Sequence, residues 1–245
     1  MTTTHPLNAW LAQADSPPLA ASVLERFDAY LALLLRWNGR TNLTAIRTPD
    51  EILRRHFLES ILAARLLPAP ITTLLDFGSG AGFPGLPIAL CRPTLAVTLA
   101  ESQHKKAAFL REAVRTLQLP VTVHSDRAQT LTTSFDCITL RAVDSMAESI
   151  AAAIPLLAPG GWLAVLTTDA LAQSVRAAAG TQRPAAAFPS GAQTVHDPDL
   201  QSLPGLPDPN PDPLDKSSYS ILWSDPQPLP TTRQQTLLLG RLIFA

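Results

Sequence analysis

The densest group of residues suited to chemistry is Asp76-Phe77-Gly78-Ser79-Gly80-Ala81-Gly82-Phe83-Pro84-Gly85. Glycines let a backbone reach positive φ and approach a ligand with no Cβ in the way. Apolar Leu74 and Leu75 precede the group and an apolar helical stretch follows it, so the glycines fall on a strand-to-helix turn. Glu101 stands about twenty residues beyond the turn, at the end of the next strand, where an acid accepts hydrogen bonds from ribose hydroxyls. Together they indicate a nucleoside-bearing cofactor. Gly80, Gly82 and Gly85 also satisfy the dinucleotide fingerprint, so the glycines alone do not separate a nicotinamide enzyme from a methyltransferase.

Two local cationic groups stand out, Arg36, Arg40, Arg47, Arg54 and Arg55, then Lys105, Lys106, Arg111 and Arg115. A formal net charge of -1 excludes a uniformly basic coat but leaves room for such patches, whose plain alternative is a solvated helix face. Cys91 and Cys137 lie in apolar runs, as small buried hydrophobes do, which fits a reducing, cytoplasmic compartment and no disulfide framework. No stretch approaches the roughly 18 apolar residues that span a bilayer. His56 has no His, Cys or carboxylate at a ligand spacing, so no metal is expected.

These residues need a scaffold, and the pattern supplies one. Residues 1–70 read as a helical region, with apolar positions at helical spacing from Leu24 to Trp37 and again through Ile52, Leu53, Phe57, Ile61 and Leu62. Strands are predicted at Thr73–Phe77, Ala96–Ala100, Val121–His124, Asp136–Leu140 and Gly161–Leu166, with helices around Leu86–Leu90, Lys105–Leu117 and Met146–Leu156. That alternation implies an α/β fold, a parallel sheet with helices on both faces, spanning residues 71–183. Nearly half of the 23 prolines fall between Pro184 and Pro230, which predicts an extended loop without a regular ladder. Tyr219–Trp223 and Thr236–Phe244 are expected to return as an antiparallel pair at the sheet edge, so that residues 184–245 complete the same domain.

The stretch from Asp76 to Pro87 resembles the cofactor motif of the glucose-inhibited division protein B family, the ribosomal RNA small subunit methyltransferase G enzymes. Trp37-Asn38, Asn42-Leu43-Thr44-Ala45 and Arg55-His56-Phe57-Leu58-Glu59-Ser60 are similar to that family upstream, as are Lys105-Lys106, Phe109-Leu110-Arg111 and Arg141-Ala142 downstream. The resemblance implies a Rossmann-like class I methyltransferase that carries a methyl group from S-adenosylmethionine to N7 of a guanine, position 527 of 16S ribosomal RNA. Gly78, Ser79, Gly80 and Phe83 would then line the cofactor pocket, Glu101 the ribose, and Ala128 with Gln129 the adenine. Arg141 would act in methyl transfer and at the cofactor rather than in holding the fold. Arg36, Arg40, Arg54, Arg55, His56, Lys105 and Lys106 would meet RNA, with the small ribosomal subunit as partner and a monomer as the working form. Departures are Gln129 at a place commonly acidic, and Thr167-Thr168 in place of a common Lys-Gly. The rival readings are a nicotinamide-dependent oxidoreductase and a non-catalytic ribosome-binding protein that keeps the pocket.

Overall fold

Short β-branched and leucine-rich runs closed by glycine or a charged residue make the strands of this chain, and amphipathic leucine- and alanine-rich runs make the helices between them. The computed structural model describes residues 4–141, 146–178, 219–231 and 234–244. Strands β1 (Thr73–Phe77), β2 (Ala96–Ala100), β3 (Thr122–His124), β4 (Phe135–Arg141) and β5 (Leu157–Thr168) are parallel. The antiparallel addition comprises β6 (Tyr219–Trp223), β7 (Gln227–Pro230) and β8 (Gln234–Phe244), giving the order β3-β2-β1-β4-β5-β8-β6 with β7 also on β8.

Alternate residues of a strand point to opposite faces, and here they feed two separate cores. Leu74, Cys137, Ala164 and Leu237 pack on one face with helices α1 (Pro6–Gln13), α2 (Ala21–Thr41), α4 (Glu59–Leu66), α5 (Gly85–Cys91) and α6 (His104–Thr116). Their neighbours Leu75, Ile138, Val165 and Leu238 pack on the other with α7 (Met146–Ala153) and α8 (Asp169–Ala178). The N-terminal helices therefore share one continuous core with the sheet. Between α3 (Pro49–Ile52) and α4 the helix widens into a π-helical turn, Leu53–Leu58, which keeps the expected apolar residues Ile52, Leu53, Phe57, Ile61 and Leu62 buried.

β5 begins four residues before the predicted Gly161, because a register shift between Phe135 and Cys137 lets Leu157 pair with Phe135. The reading of Pro184–Pro230 as one unladdered loop fails at its C-terminal end. Gln227–Pro230 pairs with β8, in line after β6 along the edge that β5 leaves open. A proline is tolerated on such an outer strand, where its missing N–H has no ladder partner to supply. The remainder of the proline-rich stretch up to residue 218, and Ala142, lie outside the described residues.

Candidate active site

Sheet register sets the site. Phe77 of β1 is level with Ala100 of β2 and Leu140 of β4, so the next residue on each strand, Gly78, Glu101 and Arg141, emerges at one end of three adjacent strands. Neighbouring strands lie about 4.8 Å apart, which brings these three groups round a single hollow. Gly78 and Gly80 take φ of 74° and 57°, the left-handed region that glycine enters without strain. The turn is tied down from both ends. The Glu101 carboxylate accepts from the Gly80 N–H at 2.9 Å and the Gln103 N–H at 2.8 Å. Asp76, 1% exposed, accepts from Thr139 Oγ1 at 2.7 Å and from the Gly85 N–H at 3.2 Å. Burial raises the Asp76 carboxyl to about 6, against the opposing pull of its hydrogen bonds and Arg141.

The second half of the wall comes from the N-terminal helices. Asn42 closes α2 in the left-handed conformation, and buried Asn38 holds the loop that follows by accepting from Thr44 N at 2.9 Å and donating to Ile46 O at 3.2 Å. That clamp presents Leu43 and Thr44 to the hollow. Tyr30 of α2 stacks on Phe83 and Phe57, with ring centroids 5.3 and 4.9 Å away, and its hydroxyl donates to the Ala81 carbonyl. The π-helical turn delivers His56, which stacks on Phe83 at 4.7 Å.

Arg141 closes the wall. Its Nη2 faces the Arg55 carbonyl at 2.7 Å, His56 Nδ1 at 2.7 Å and Glu59 Oε2 at 3.1 Å. A guanidinium has no lone pair to offer, so Nδ1 accepts and the His56 ring proton sits on Nε2, 2.8 Å from Thr44 Oγ1. Burial first, then the nearby Arg141 charge, lowers His56 to about 3, so the ring is neutral. The Glu59 and Arg141 side chains are 5% and 14% exposed, which makes this a buried ion pair, and the Arg141 Nη1 is buried without a hydrogen-bond partner. Arg141 therefore ties β4 to the π-helical turn, a correction to its expected freedom from structural work.

Two cavities result. The first, about 560 Å³, is walled by Thr44, His56, Gly78–Ala81, Phe83, Glu101, Gln103, Lys106 and Arg141. The second, about 540 Å³, lies against Arg55, Glu59, Met146, Leu166, Thr167 and Thr168 and shares His56 and Arg141 with the first. Residues 23–195 match the family described as rRNA small subunit methyltransferase G. The chain belongs to this family. A family relative from Xanthomonas euvesicatoria pv. vesicatoria (strain 85-10), "Ribosomal RNA small subunit methyltransferase G", is 45% identical over 155 residues, 62% of this chain and 70% of that one. A relative of the same name from Stenotrophomonas maltophilia (strain K279a) is 44% identical over 167 residues, 65% and 78% of the two chains. The Pyrococcus horikoshii protein PH0793 shares the fold, with a TM-score of 0.51 at 14% identity over 76% of this chain and 63% of that one. Family membership retires the nicotinamide reading and fixes the fold as the Rossmann-like methyltransferase sheet.

Within this member of the methyltransferase G family, Gly78, Ser79, Gly80, Phe83, Glu101 and Arg141 meet at the first cavity as expected from their order in the sequence. Ala128 and Gln129 do not. A 3-10 turn, Ala128–Thr130, packs the Ala128 methyl into the second core, and Gln129 is exposed. The cationic residues are scattered rather than gathered. Arg36 pairs with Glu112 at 2.6 Å, Arg54 pairs with Asp50 at 3.4 Å and lies over the Trp10 ring, and Arg40 and Lys105 are exposed. Lys106 reaches the first cavity, Arg55 the second, and His56 both. Thr44, Glu59 and Asp76 join the site beyond the residues expected there, although each lies within a sequence motif, Asn42-Leu43-Thr44, His56–Glu59 and Asp76–Gly85. Among the described residues no group of three His, Cys, Asp or Glu side chains could hold a metal, and no helix is long and apolar enough to cross a membrane.

Proposed function

We propose that the protein transfers the methyl group of S-adenosylmethionine to N7 of a guanine in 16S ribosomal RNA. The observation that carries this reading is the meeting of two cavities at the wall made by Arg141 and His56, which suits a transfer between two bound substrates. The first cavity fits the cofactor. Its volume is within the roughly 300–1,000 Å³ of small-molecule sites, a Cβ on Gly80 would project into its open space, and the orphaned Arg141 Nη1 is a donor left without an acceptor in its wall. Bound there, S-adenosylmethionine supplies an electrophilic methyl group on a sulfonium.

The chain's own part is positioning. Each Glu101 oxygen already receives one backbone N–H and keeps lone-pair capacity for the ribose hydroxyls. Arg141, which borders both cavities, would hold the reacting ends of the two bound substrates against each other, and Lys106 would add a cation at the first cavity. The second cavity would take the purine, lined as it is by apolar Met146, Leu166 and Leu171 and by the hydroxyl groups of Thr167, Thr168 and Ser174. Guanine N7 would attack with a lone pair it already owns, and the attacking nitrogen bears no proton that must leave, so no general base is required. Holding the two reactants in line supplies the bulk of the rate. The working form in this reading is a monomer, and free Cys91 and Cys137 suit the cytoplasm where ribosomes are built.

The test is a map of N7-methylguanine in 16S rRNA from cells with and without this gene, paired with methyl transfer from labelled cofactor by the purified protein onto small subunits and onto naked rRNA. The reading expects one site to lose its methyl group in the deletion and to regain it in vitro. Tight S-adenosylhomocysteine binding with no transfer to either substrate would instead make the protein a non-catalytic binder.

A further inference from the structure

His56 stands where the two cavities meet, yet methyl transfer to N7 asks nothing of an imidazole as acid, base or ligand. Its two nitrogens are nonetheless both engaged, and in opposite senses. Nδ1 accepts from Arg141 Nη2 at 2.7 Å, and Nε2–H donates to Thr44 Oγ1 at 2.8 Å. The chain of consequences runs on at each end. Thr44 Oγ1 also accepts from Ile46 N at 3.2 Å, so its two lone pairs are occupied and only its own proton is left to give, at the cavity it lines. At the other end Arg141 Nη2 is surrounded by the Arg55 carbonyl, Glu59 and Nδ1, which leaves Nη1 and Nε–H outside the cluster, with Nη1 buried and without a partner.

We propose that His56 is a positioning residue that sets the polarity of this wall, its Nδ1 fixing Arg141 for methyl transfer and its Nε2–H turning the Thr44 hydroxyl proton towards the bound cofactor's anionic end. The ring does this as a neutral rotor-locked plane. It is stacked on Phe83 with 26° between the planes, and Arg141, Arg55 and Glu59 are the charged groups around it. Burial and the Arg141 charge hold its pKa at about 3, so the assigned tautomer persists through neutral pH. A protonated ring would present N–H to the guanidinium and break the first link. Lysine or arginine at this place would lack the acceptor altogether.

Because one side chain makes two links, each link has its own near-isostere. Asparagine places Oδ1 where Nδ1 was, and glutamine places Nε2–H₂ where Nε2–H was. The inference rests on the reading that Arg141 serves methyl transfer, so Arg141→Lys and Arg141→Ala are measured alongside. With the full-length protein, S-adenosylmethionine and small-subunit rRNA, kcat and KM for the cofactor are compared per folded molecule, with S-adenosylhomocysteine affinity read by calorimetry. His56→Asn is expected to keep kcat within about threefold while KM and the affinity worsen about tenfold, the usual size for one neutral hydrogen bond. His56→Gln is expected to show the reverse, kcat down about tenfold or more with affinity within about threefold. Thr44→Val should reproduce the His56→Asn pattern and add little in the double variant, as coupled partners do. If His56→Ala matches the unaltered protein in both parameters, or if Asn and Gln lower both equally, the polarity assignment is overturned while loss of kcat in the Arg141 variants leaves the Arg141 reading standing. If Arg141→Ala itself keeps kcat, that earlier reading falls and this inference with it.

Discussion

At the scale of single residues, the glycine turn shows how one residue type serves two different ends. Gly80 has a φ of +57° and a Cβ built on it would have only the Gly78 carbonyl within reach, at 4.0 Å, whereas a Cβ on Gly85 would stand 2.4 Å from Leu99 Cδ2 and 2.7 Å from Asp76 Oδ2. Gly80→Ala should therefore fold with a loss of about 1–2 kcal/mol for the left-handed backbone, and its methyl group should obstruct the cofactor, lowering S-adenosylhomocysteine affinity at least tenfold. Gly85→Ala should lower stability by about 1–3 kcal/mol through overpacking. Urea melts and calorimetry on both variants decide the matter; equal cofactor affinity in folded Gly80→Ala would move the ligand elsewhere. Arg141 obeys a different logic because it is half of a buried pair with Glu59. Removing one partner of such a pair strands the other, at a cost of about 3–5 kcal/mol. Glu59→Gln keeps a hydrogen-bond acceptor and should fall below that range in thermal melts, whereas Arg141→Ala should both melt early and lose transfer; retention of the native Tm by Arg141→Ala would show the ion pair to be energetically idle.

Elements decide which of those residues meet. Glu101 and Arg141 were legible at strand ends because strand ends can be read from apolar runs, and β1, β2 and β4 lie where those runs put them, while the register that levels their ends is seen only in the fold. Thr44 and Glu59 were not, since their roles depend on a π-helical turn and on a loop clamped by Asn38, and neither leaves a periodic signature. Packing at the junction of these elements also sets the acid stability. His56 is lowered from 6.5 to about 3, so below pH 6.5 the unfolded chain takes a proton that the fold refuses, and stability falls as pH drops from about 6.5 towards 3. Asp76 is raised from 3.8 to about 6, so the fold takes its proton first, and stability rises as pH drops from about 6 to 3.8. Between about pH 4 and 6 the two slopes oppose. His56→Gln should accordingly gain on the unaltered protein by up to about 1.4 kcal/mol per pH unit on acidification through that window, and Asp76→Asn should lose on it by a similar slope. Denaturant titrations from pH 4.5 to 7.5 measure both differences, and pH-independent differences would mean that neither group is perturbed as the fold requires.

Over the whole molecule, the parallel sheet was written in the sequence as alternation, while the union of the N-terminal helices with it was not. Tyr30, Phe57, Phe83 and Phe109 sit far apart in the chain and stack in one cluster, a contact that periodicity identifies only as buried faces. Prolines misled at β7 for the opposite reason, because a local rule against ladders gives way at an outer strand. Charge is where the larger view changes an expectation most. Arginines singled out in the sequence are partly spent inside the fold, Arg36 on Glu112 and Arg47 on the Asn38 carbonyl and Asn42 Oδ1, as are Arg26 on the carbonyls of Leu117 and Gln118 and Arg92 on those of Leu67, Pro68 and Ala69. RNA phosphates should then be met chiefly by the cations nearest the two cavities, Arg55 and Lys106, with exposed Lys105 beside them. Each phosphate contact contributes about 0.7–0.9 to the slope of log affinity against log salt. Arg55→Gln, Lys105→Gln and Lys106→Gln combined should flatten that slope by about two, allowing for one incomplete contact. Arg36→Gln with Arg54→Gln should change it by less than about one, because each of those cations is already paired with a carboxylate and displaces few phosphate counterions. Filter binding of a small-subunit rRNA fragment across a salt series gives both slopes, and a larger flattening from the Arg36 and Arg54 pair would relocate the RNA path to the outer faces of α2 and the π-helical turn.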